Sequence, residues 1–154
     1  MTSVELEPVP GLAWRTKPLN ILVVDDTDQI RMWCHLQLQK LGHKVVSASS
    51  GIEAERILHL RSFDLLVTDV IMPDRDGLEL ILGLRRSRSA TRILAMSGGG
   101  KFTQDADCLK LATRLGAHAV VTKPLSLERL IEKVAEAMDA EDTPAASGSR
   151  PPGF

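Results

Sequence analysis

Short apolar runs alternate with segments of helical spacing along the central part of the chain. The runs LNILVVD (19–25), FDLLVTD (63–69), RILAMS (92–97) and HAVVTK (118–123) have the length of buried strands, and HKVVSAS (43–49) predicts one more. The segments between them carry apolar residues every three or four positions, which is typical of helices with one buried face. Five strands that alternate with five helices predict an α/β fold, in which helices cover both faces of a parallel sheet.

The first and last predicted helices have recognisable ends. The first (27–41) ends before Gly42, a residue suited to a C-terminal cap, and the last begins after Ser126, a favourable N-cap. The apolar face predicted for the first helix consists of Ile30, Trp33, Cys34, Leu38 and Leu41. The stripe predicted for the last helix consists of Leu127, Leu130, Ile131, Val134 and Met138.

Two terminal segments lack such patterns. Residues 1–18 are expected to form a flexible tail, and residues 140–154, rich in Pro, Ser, Gly and Ala, a disordered one. The sequence therefore predicts one domain over residues 19–139, with no output domain after its last helix.

Charge and cysteine content narrow the possible partners and compartment. The 19 Lys and Arg residues nearly balance 20 Asp and Glu residues, for a net charge of -1, so we expect neither nucleic acid nor an anionic membrane as a partner. No apolar run is long enough to span a membrane, and the first residues do not form a signal peptide. Cys34 and Cys108 have no metal-ligand spacing, so reduced thiols in the cytoplasm are expected.

Polar residues stand where four of the predicted strands end. Asp25 and Asp26 follow the first strand, Asp69 ends the third, Ser97 ends the fourth and Lys123 ends the fifth. Because the carboxyl ends of parallel strands form one edge of the sheet, these side chains should share a crevice. Three carboxylates so close together repel one another unless a cation lies among them. Oxygen ligands beside a phosphate favour Mg²⁺.

The crevice has the parts needed for phosphoryl transfer. The carboxylate of Asp69, at the end of a buried strand, can attack phosphorus and form an acyl phosphate. Lys123 can neutralise one phosphoryl oxygen, and the Ser97 hydroxyl can donate a hydrogen bond to another.

The motifs LVVDD, LVTDVIMPDRDG, AMSGGG and VVTKP, spread over residues 18–138, resemble the receiver domains of bacterial response regulators. The resemblance implies a flavodoxin-like, doubly wound five-stranded parallel sheet of order 2-1-3-4-5. It also implies site roles: Asp25 and Asp26 as a metal-binding pair, Asp69 as phosphoacceptor, and the Ile71 carbonyl as a further Mg²⁺ ligand. Ser97 and Lys123 match the family's hydroxyl and lysine, and the Lys123–Pro124 bond matches one that is typically cis.

The same resemblance implies a signalling function. The chain would accept a phosphoryl group from a histidine kinase or a histidine phosphotransfer protein, and it would catalyse only its own phosphorylation and dephosphorylation. It would act through a protein that docks on the fourth helix, fifth strand and last helix, or shuttle phosphate. Val120 replaces the family's usual aromatic switch residue. Ile71 and Gly99, which cannot orient a water molecule, predict a long-lived phosphorylated state.

Two other functions remain to be distinguished. Asp26-Thr27-Asp28 gives the Asp-x-Asp pattern of an aspartate-dependent phosphohydrolase, although Asp28 falls at a helix start. A receiver-like interaction module that takes no phosphate is the third possibility. Turnover of a small phosphomonoester would indicate the hydrolase, and accumulation of an acyl phosphate would indicate the receiver.

Overall fold

The computed structural model describes residues 17–73, 76–98 and 103–141, and of residues 103–106 it describes the backbone only. The two predicted tails therefore lie almost entirely outside the described residues, and their flexibility stays a prediction. Among the described residues, no helix is both long and apolar enough to cross a membrane.

The predicted strands and helices are all present, with ends that differ from the prediction by one or two residues at most. The strands are β1 (Asn20–Val24), β2 (Lys44–Ala48), β3 (Leu65–Asp69), β4 (Arg92–Ser97) and β5 (Ala119–Thr122). The helices are α1 (Asp28–Lys40), α2 (Gly51–Leu60), α3 (Gly77–Arg86), α4 (Thr103–Leu115) and α5 (Leu127–Asp139).

All strand pairs of the sheet are parallel, and the strand order is β2-β1-β3-β4-β5. This order confirms the predicted doubly wound fold. The connection that follows β1 leads to β2 on one side, and the connection that follows its neighbour β3 leads to β4 on the other, so the strand order reverses between β1 and β3. The crevice at such a switch point opens beyond the carboxyl ends of the strands, which is the edge where the polar residues were predicted.

The sheet separates two apolar cores. Ile21 and Val23 point into the core beneath α1 and α5, and their neighbours Leu22 and Val24 point into the core beneath α2, α3 and α4. This alternation follows from the two-residue period of a strand. Because helices cover both faces of the sheet, nearly every strand position must be apolar, and this explains the continuous apolar runs in the sequence.

The two helix faces were predicted too broadly. Leu41 is 46% exposed because α1 ends at Lys40, and Gly42 after it has the positive φ of +97° expected of a C-terminal cap. In α5, Leu127 and Ile131 are 36% and 44% exposed. The side chains that bury against the sheet are Leu130, Val134 and Ala137, whose i, i+4, i+7 spacing defines a narrower face. Ser126 is the N-cap of α5, as predicted.

Candidate functional site

The carboxyl ends of the strands bring four of the predicted residues to one place. Asp25 directly follows β1 and is fully buried, and Asp69 ends β3 with 7% of its surface exposed. Ser97 ends β4, fully buried, and Lys123 follows β5. The Lys123 N–H donates to the Ser97 carbonyl at 2.8 Å, which ties the ends of β4 and β5 together.

Lys123 lies between two of the acids. Its Nζ is 3.2 Å from Asp69 Oδ2, with hydrogen-bond geometry, and 2.7 Å from Asp25 Oδ2, where the contact is an ion pair. The other Asp25 oxygen, Oδ1, accepts a hydrogen bond from the Thr27 N–H at 2.9 Å. The two neighbouring aspartates thus differ in environment: Asp25 is buried against Lys123, and Asp26 is exposed.

The acids form a cluster that suits a hard cation. Asp25, Asp26 and Asp69 each offer an oxygen, and these three atoms lie within 4.8 Å of one another. Among the described residues, Lys123 is the cation that pairs with these carboxylates, while the Arg31 guanidinium donates to the Asp25 backbone carbonyl at 2.9 Å. An oxygen-only donor set with excess negative charge fits Mg²⁺.

Burial and charge act in opposite directions on the central carboxylate. Burial raises the pKa of Asp69, the Lys123 ammonium opposes this rise, and the Asp25 charge adds to it, for a net pKa above the usual value. Burial alone would lower the pKa of Lys123. Its contact with Asp25 and the charge of Asp69 outweigh burial and raise that pKa. The ammonium group therefore stays protonated.

Ser97 has a hydroxyl that is not used by the fold. Its Oγ is buried and has no hydrogen-bond partner among the described residues. An unsatisfied buried hydroxyl costs about 1–3 kcal/mol. Such a group, next to Asp69 at the edge of the sheet, is suited to donate to an oxygen atom of a ligand.

Other predicted site residues lie at the margin or outside the described residues. Ile71 is 48% exposed, and its N–H approaches Asp69 Oδ1 at 3.5 Å. The Lys123–Pro124 bond is cis, as predicted. Val120 is half-buried and packs against the core under α4. Gly99 and the rest of the glycine-rich loop (99–102) lie outside the described residues.

The Asp-x-Asp pattern does not place a second acid in the crevice. Asp28 begins α1, its side chain is 79% exposed, and its carboxylate pairs with Arg31 of the same helix at 2.5 Å. The arrangement that a phosphohydrolase would require is therefore not formed by Asp28.

Sequence reasoning missed two residues that touch the backbone of Asp69. The Thr68 hydroxyl, fully buried, donates to the Asp69 carbonyl at 2.9 Å. Gly77 at the start of α3 passes so close that a Cβ atom there would lie 2.0 Å from the same carbonyl oxygen. In the sequence, Thr68 reads as one more β-branched strand residue. Gly77 carried a weak signal in the sequence, because the acid before it, Asp76, is the N-cap of α3 and the glycine itself is not needed as a cap.

The groove beside the site is largely apolar. Its lining consists of Gln29, Ile30 and Trp33 from α1 with Gly98, Lys123, Pro124 and Leu125. Trp33, predicted as a core residue, is half-buried and faces this groove. Beneath it, Cys34 is fully buried, and burial together with the Asp25 charge raises the pKa of its thiol to about 12. Cys108 on α4 is partly exposed.

Comparison with known proteins gives one consistent result. The family model of the response regulator receiver domain matches residues 21–135. The chain is 35% identical over 126 residues to the DNA-binding transcriptional regulator NtrC of Azospirillum brasilense, covering 82% of this chain and 25% of that protein. It is 34% identical to the sensor kinase CckA of Brucella abortus over 127 residues, which cover 79% of this chain and 13% of the kinase.

Comparison with solved structures gives the same result. The chemotaxis protein CheY4 of Vibrio cholerae superposes with a TM-score of 0.69 at 26% identity, covering 79% of this chain and 99% of that one. The match thus extends over nearly all of the CheY4 chain in that structure, whereas this chain spans about a quarter of the length of NtrC.

Proposed function

The chain belongs to the family of response regulator receiver domains, and on that premise we propose that it accepts a phosphoryl group on the carboxylate of Asp69. Receiver domains act in two-component signalling and interact with histidine kinases. The proposed donor is the phosphohistidine of such a kinase or of a histidine phosphotransfer protein. The observation that carries the proposal is the buried Asp69 carboxylate, 3.2 Å from the Lys123 ammonium and clustered with two further acids.

In the proposed reaction, one Asp69 carboxylate oxygen attacks phosphorus. A P–O bond forms as the P–N bond to the histidine breaks, and the imidazole leaves. Asp69 must be ionised to attack, and Lys123 favours that ionised form against the effect of burial. The carboxylates of Asp25, Asp26 and Asp69, with the Ile71 carbonyl, would hold Mg²⁺, which would supply positive charge for the phosphoryl oxygens.

Two side chains would then stabilise the product. Formation of the acyl phosphate removes the charge of Asp69 and places new negative charge on the phosphoryl oxygens. Lys123 Nζ, already within 3.2 Å of Asp69 Oδ2, can pair with one of those oxygens. The Ser97 hydroxyl, buried and without a partner among the described residues, can donate to another. The two contacts would thus use a hydroxyl without a partner among the described residues and an ammonium group that already lies beside the acceptor carboxylate.

We further propose that the signal leaves through the surface formed by α4, β5 and α5. Ser97 ends β4, the strand before α4, and Lys123 follows β5, the strand before α5, so a movement of either residue would act on the chain that leads into those helices. Phosphate would shift the population between two states of this surface through its contacts in each. A protein partner would read the shift, or the phosphoryl group would pass on to another phosphotransfer protein.

Intact-mass spectrometry with Mg²⁺ and acetyl phosphate tests the acceptor. We expect one added phosphate on the full chain and none on Asp69→Asn. Asp28→Asn is the matched control, because Asp28 is exposed and paired with Arg31, and it should label like the unaltered protein. Equal labelling of Asp69→Asn would move the acceptor to another residue, and release of inorganic phosphate from many small phosphomonoesters would favour the hydrolase.

A further inference from the structure

One peptide unit next to the phosphoacceptor is held at both of its polar groups. The carbonyl of Asp69 accepts a hydrogen bond from the Thr68 hydroxyl at 2.9 Å. The N–H at the other end of the same peptide, that of Val70, donates to the Met96 carbonyl of β4 at 2.9 Å. The Asp69–Val70 peptide therefore has little freedom to rotate.

The start of α3 closes the remaining side of this peptide. The Gly77 N–H donates to the Val70 carbonyl at 3.1 Å. The bare Cα of Gly77 lies against the Asp69 carbonyl, since a Cβ there would be 2.0 Å from its oxygen. No other residue type leaves room for this approach without a shift of the backbone. The chain leaving β3 is thus fixed between a hydroxyl, a neighbouring strand and a helix terminus.

We propose that Thr68 is a positioning residue for phosphoryl transfer: its hydroxyl fixes the Asp69–Val70 peptide and so sets the direction of the Asp69 carboxylate. The proposal rests on the proposed function of Asp69 as phosphoacceptor. Thr68 itself points into the core beneath α2, α3 and α4, away from the crevice, because it alternates with Asp69 along β3. It acts only through the backbone.

The effect of losing the hydroxyl follows from its burial. Thr68→Val keeps the shape of the side chain but leaves a buried carbonyl without its donor. The peptide then gains by turning toward another donor, and the carboxylate turns with it. Displacement of a reacting group by about 1 Å can slow a reaction by about 100-fold, so a partial displacement should be measurable.

A second threonine provides a control that distinguishes a positioning role of Thr68 from a role in the stability of the fold alone. Thr91 is also buried, and its hydroxyl donates to the Phe63 carbonyl at 2.8 Å. It precedes β4 and therefore lies at the opposite edge of the sheet from Asp69. Thr91→Val removes a buried hydroxyl-to-carbonyl bond of similar length, together with the bond that the Thr91 hydroxyl accepts from the Ser89 hydroxyl at 2.9 Å. If the Thr68 hydroxyl only stabilised the fold, Thr68→Val and Thr91→Val should be labelled at the same rate.

The experiment compares the full chain with Thr68→Val, Thr68→Ser and Thr91→Val. Urea unfolding gives the stability of each variant. The rate of labelling by acetyl phosphate is then measured at saturating Mg²⁺, under conditions in which each variant is folded. Mg²⁺ affinity is read from Trp33 fluorescence in a Trp14→Phe background. Both valine variants should lose stability. We expect Thr68→Val to label about 10-fold more slowly or worse, and Thr68→Ser and Thr91→Val to stay within about 2-fold of the unaltered protein.

The outcomes separate the two proposals. If the unaltered chain takes no phosphate, the proposed function fails and the role of Thr68 falls with it. If the unaltered chain labels and Thr68→Val labels as fast as Thr91→Val, the positioning role is wrong and the proposed function stands. Should Thr68→Val not fold, Thr68→Ala against Thr68→Ser decides the question, because only serine keeps the hydroxyl. Equal rates for that pair would again overturn the inference.

Discussion

Lys123 supplies the positive charge for two buried carboxylates, and its replacement by Met isolates that contribution. Its ammonium lies 2.7 Å from Asp25, which is fully buried, and 3.2 Å from Asp69. Met keeps most of the apolar stem and removes the charge. In the absence of Mg²⁺, both acids would then be left without a cation. Breaking a buried ion pair by removing one partner costs about 3–5 kcal/mol of stability, and we expect Lys123→Met to fall in this range.

Lys133→Met is the matched control. The Lys133 side chain is 12% exposed, against 11% for Lys123, and its Nζ lies 2.8 Å from Glu136. The difference is the partner, because the Glu136 side chain is 50% exposed and can be solvated once the lysine is gone. A pair of this kind contributes about 0–1 kcal/mol. The gap between the two variants therefore measures the burial of the acids rather than the loss of a lysine.

The loss of stability in Lys123→Met should depend on pH in a predictable direction. Burial already raises the pKa of Asp69 against the opposing charge of Lys123, so removal of that charge should raise this pKa further. A carboxyl group whose pKa is higher in the folded than in the unfolded state contributes stability below its unfolded value. That contribution is lost as the pH rises through the folded value. The cost of Lys123→Met should thus be largest at neutral pH and smaller toward about pH 4–5.

Urea unfolding of both variants, with a chelator, at neutral and mildly acidic pH, measures these differences. Added Mg²⁺ should restore part of the stability of Lys123→Met, since an ion that binds only the folded state stabilises it. A cost below about 1 kcal/mol at neutral pH, or equal to that of Lys133→Met, would refute the account of Lys123 as the essential counter-charge.

Three further predictions, one of them with a control variant, test features of the fold. Gly77→Ala should destabilise the protein by about 3 kcal/mol or more, because its Cβ would lie 2.0 Å from the Asp69 carbonyl, whereas Gly83→Ala in the same helix meets nothing and should be neutral or stabilising in thermal unfolding. Arg88→Gly should raise stability by about 0.5–1 kcal/mol in urea unfolding, since Arg88 has a φ of 57°, and an unchanged or lower midpoint would contradict the strain. Burial lowers the pKa of His43 in the folded protein. The contribution of His43 to stability is therefore present above the unfolded pKa of about 6.5 and is lost as the pH falls through the folded pKa. His43→Gln should flatten this part of the plot of stability against pH, and an unaltered plot would exclude His43 as the source of the pH dependence.

The positions of the acids could be predicted because parallel strands share an edge. An acid directly after an apolar run must lie near the acids of neighbouring runs, whatever the details of packing. The sequence could not show that Lys123 contacts Asp25 as well as Asp69, since this depends on how far the lysine side chain reaches from the end of β5, past β4, toward β3 and β1. It also could not show that Asp25 is buried while Asp26 is exposed, which is set by the turn into α1.

The extent of each buried helix face was also beyond the sequence. Periodicity gives the direction of a face but not the width of the contact, so Leu127 and Ile131 were assigned to a stripe that the sheet only partly covers. The backbone contacts of Thr68 and Gly77 are of another kind. They depend on the approach of α3 to the end of β3, and no pattern of residue types along one element encodes the distance between two elements.

The unequal environments of the two thiols make the unmodified protein suitable for site-selective labelling. With its pKa at about 12 and no exposed surface, Cys34 presents almost no thiolate at neutral pH to an alkylating dye. Cys108 is partly exposed and lies on α4, the helix that follows the strand ending in Ser97. A maleimide fluorophore or nitroxide would therefore attach at α4 without any cysteine being replaced. Its emission or spectral line shape would then report the environment of that helix in the native sequence.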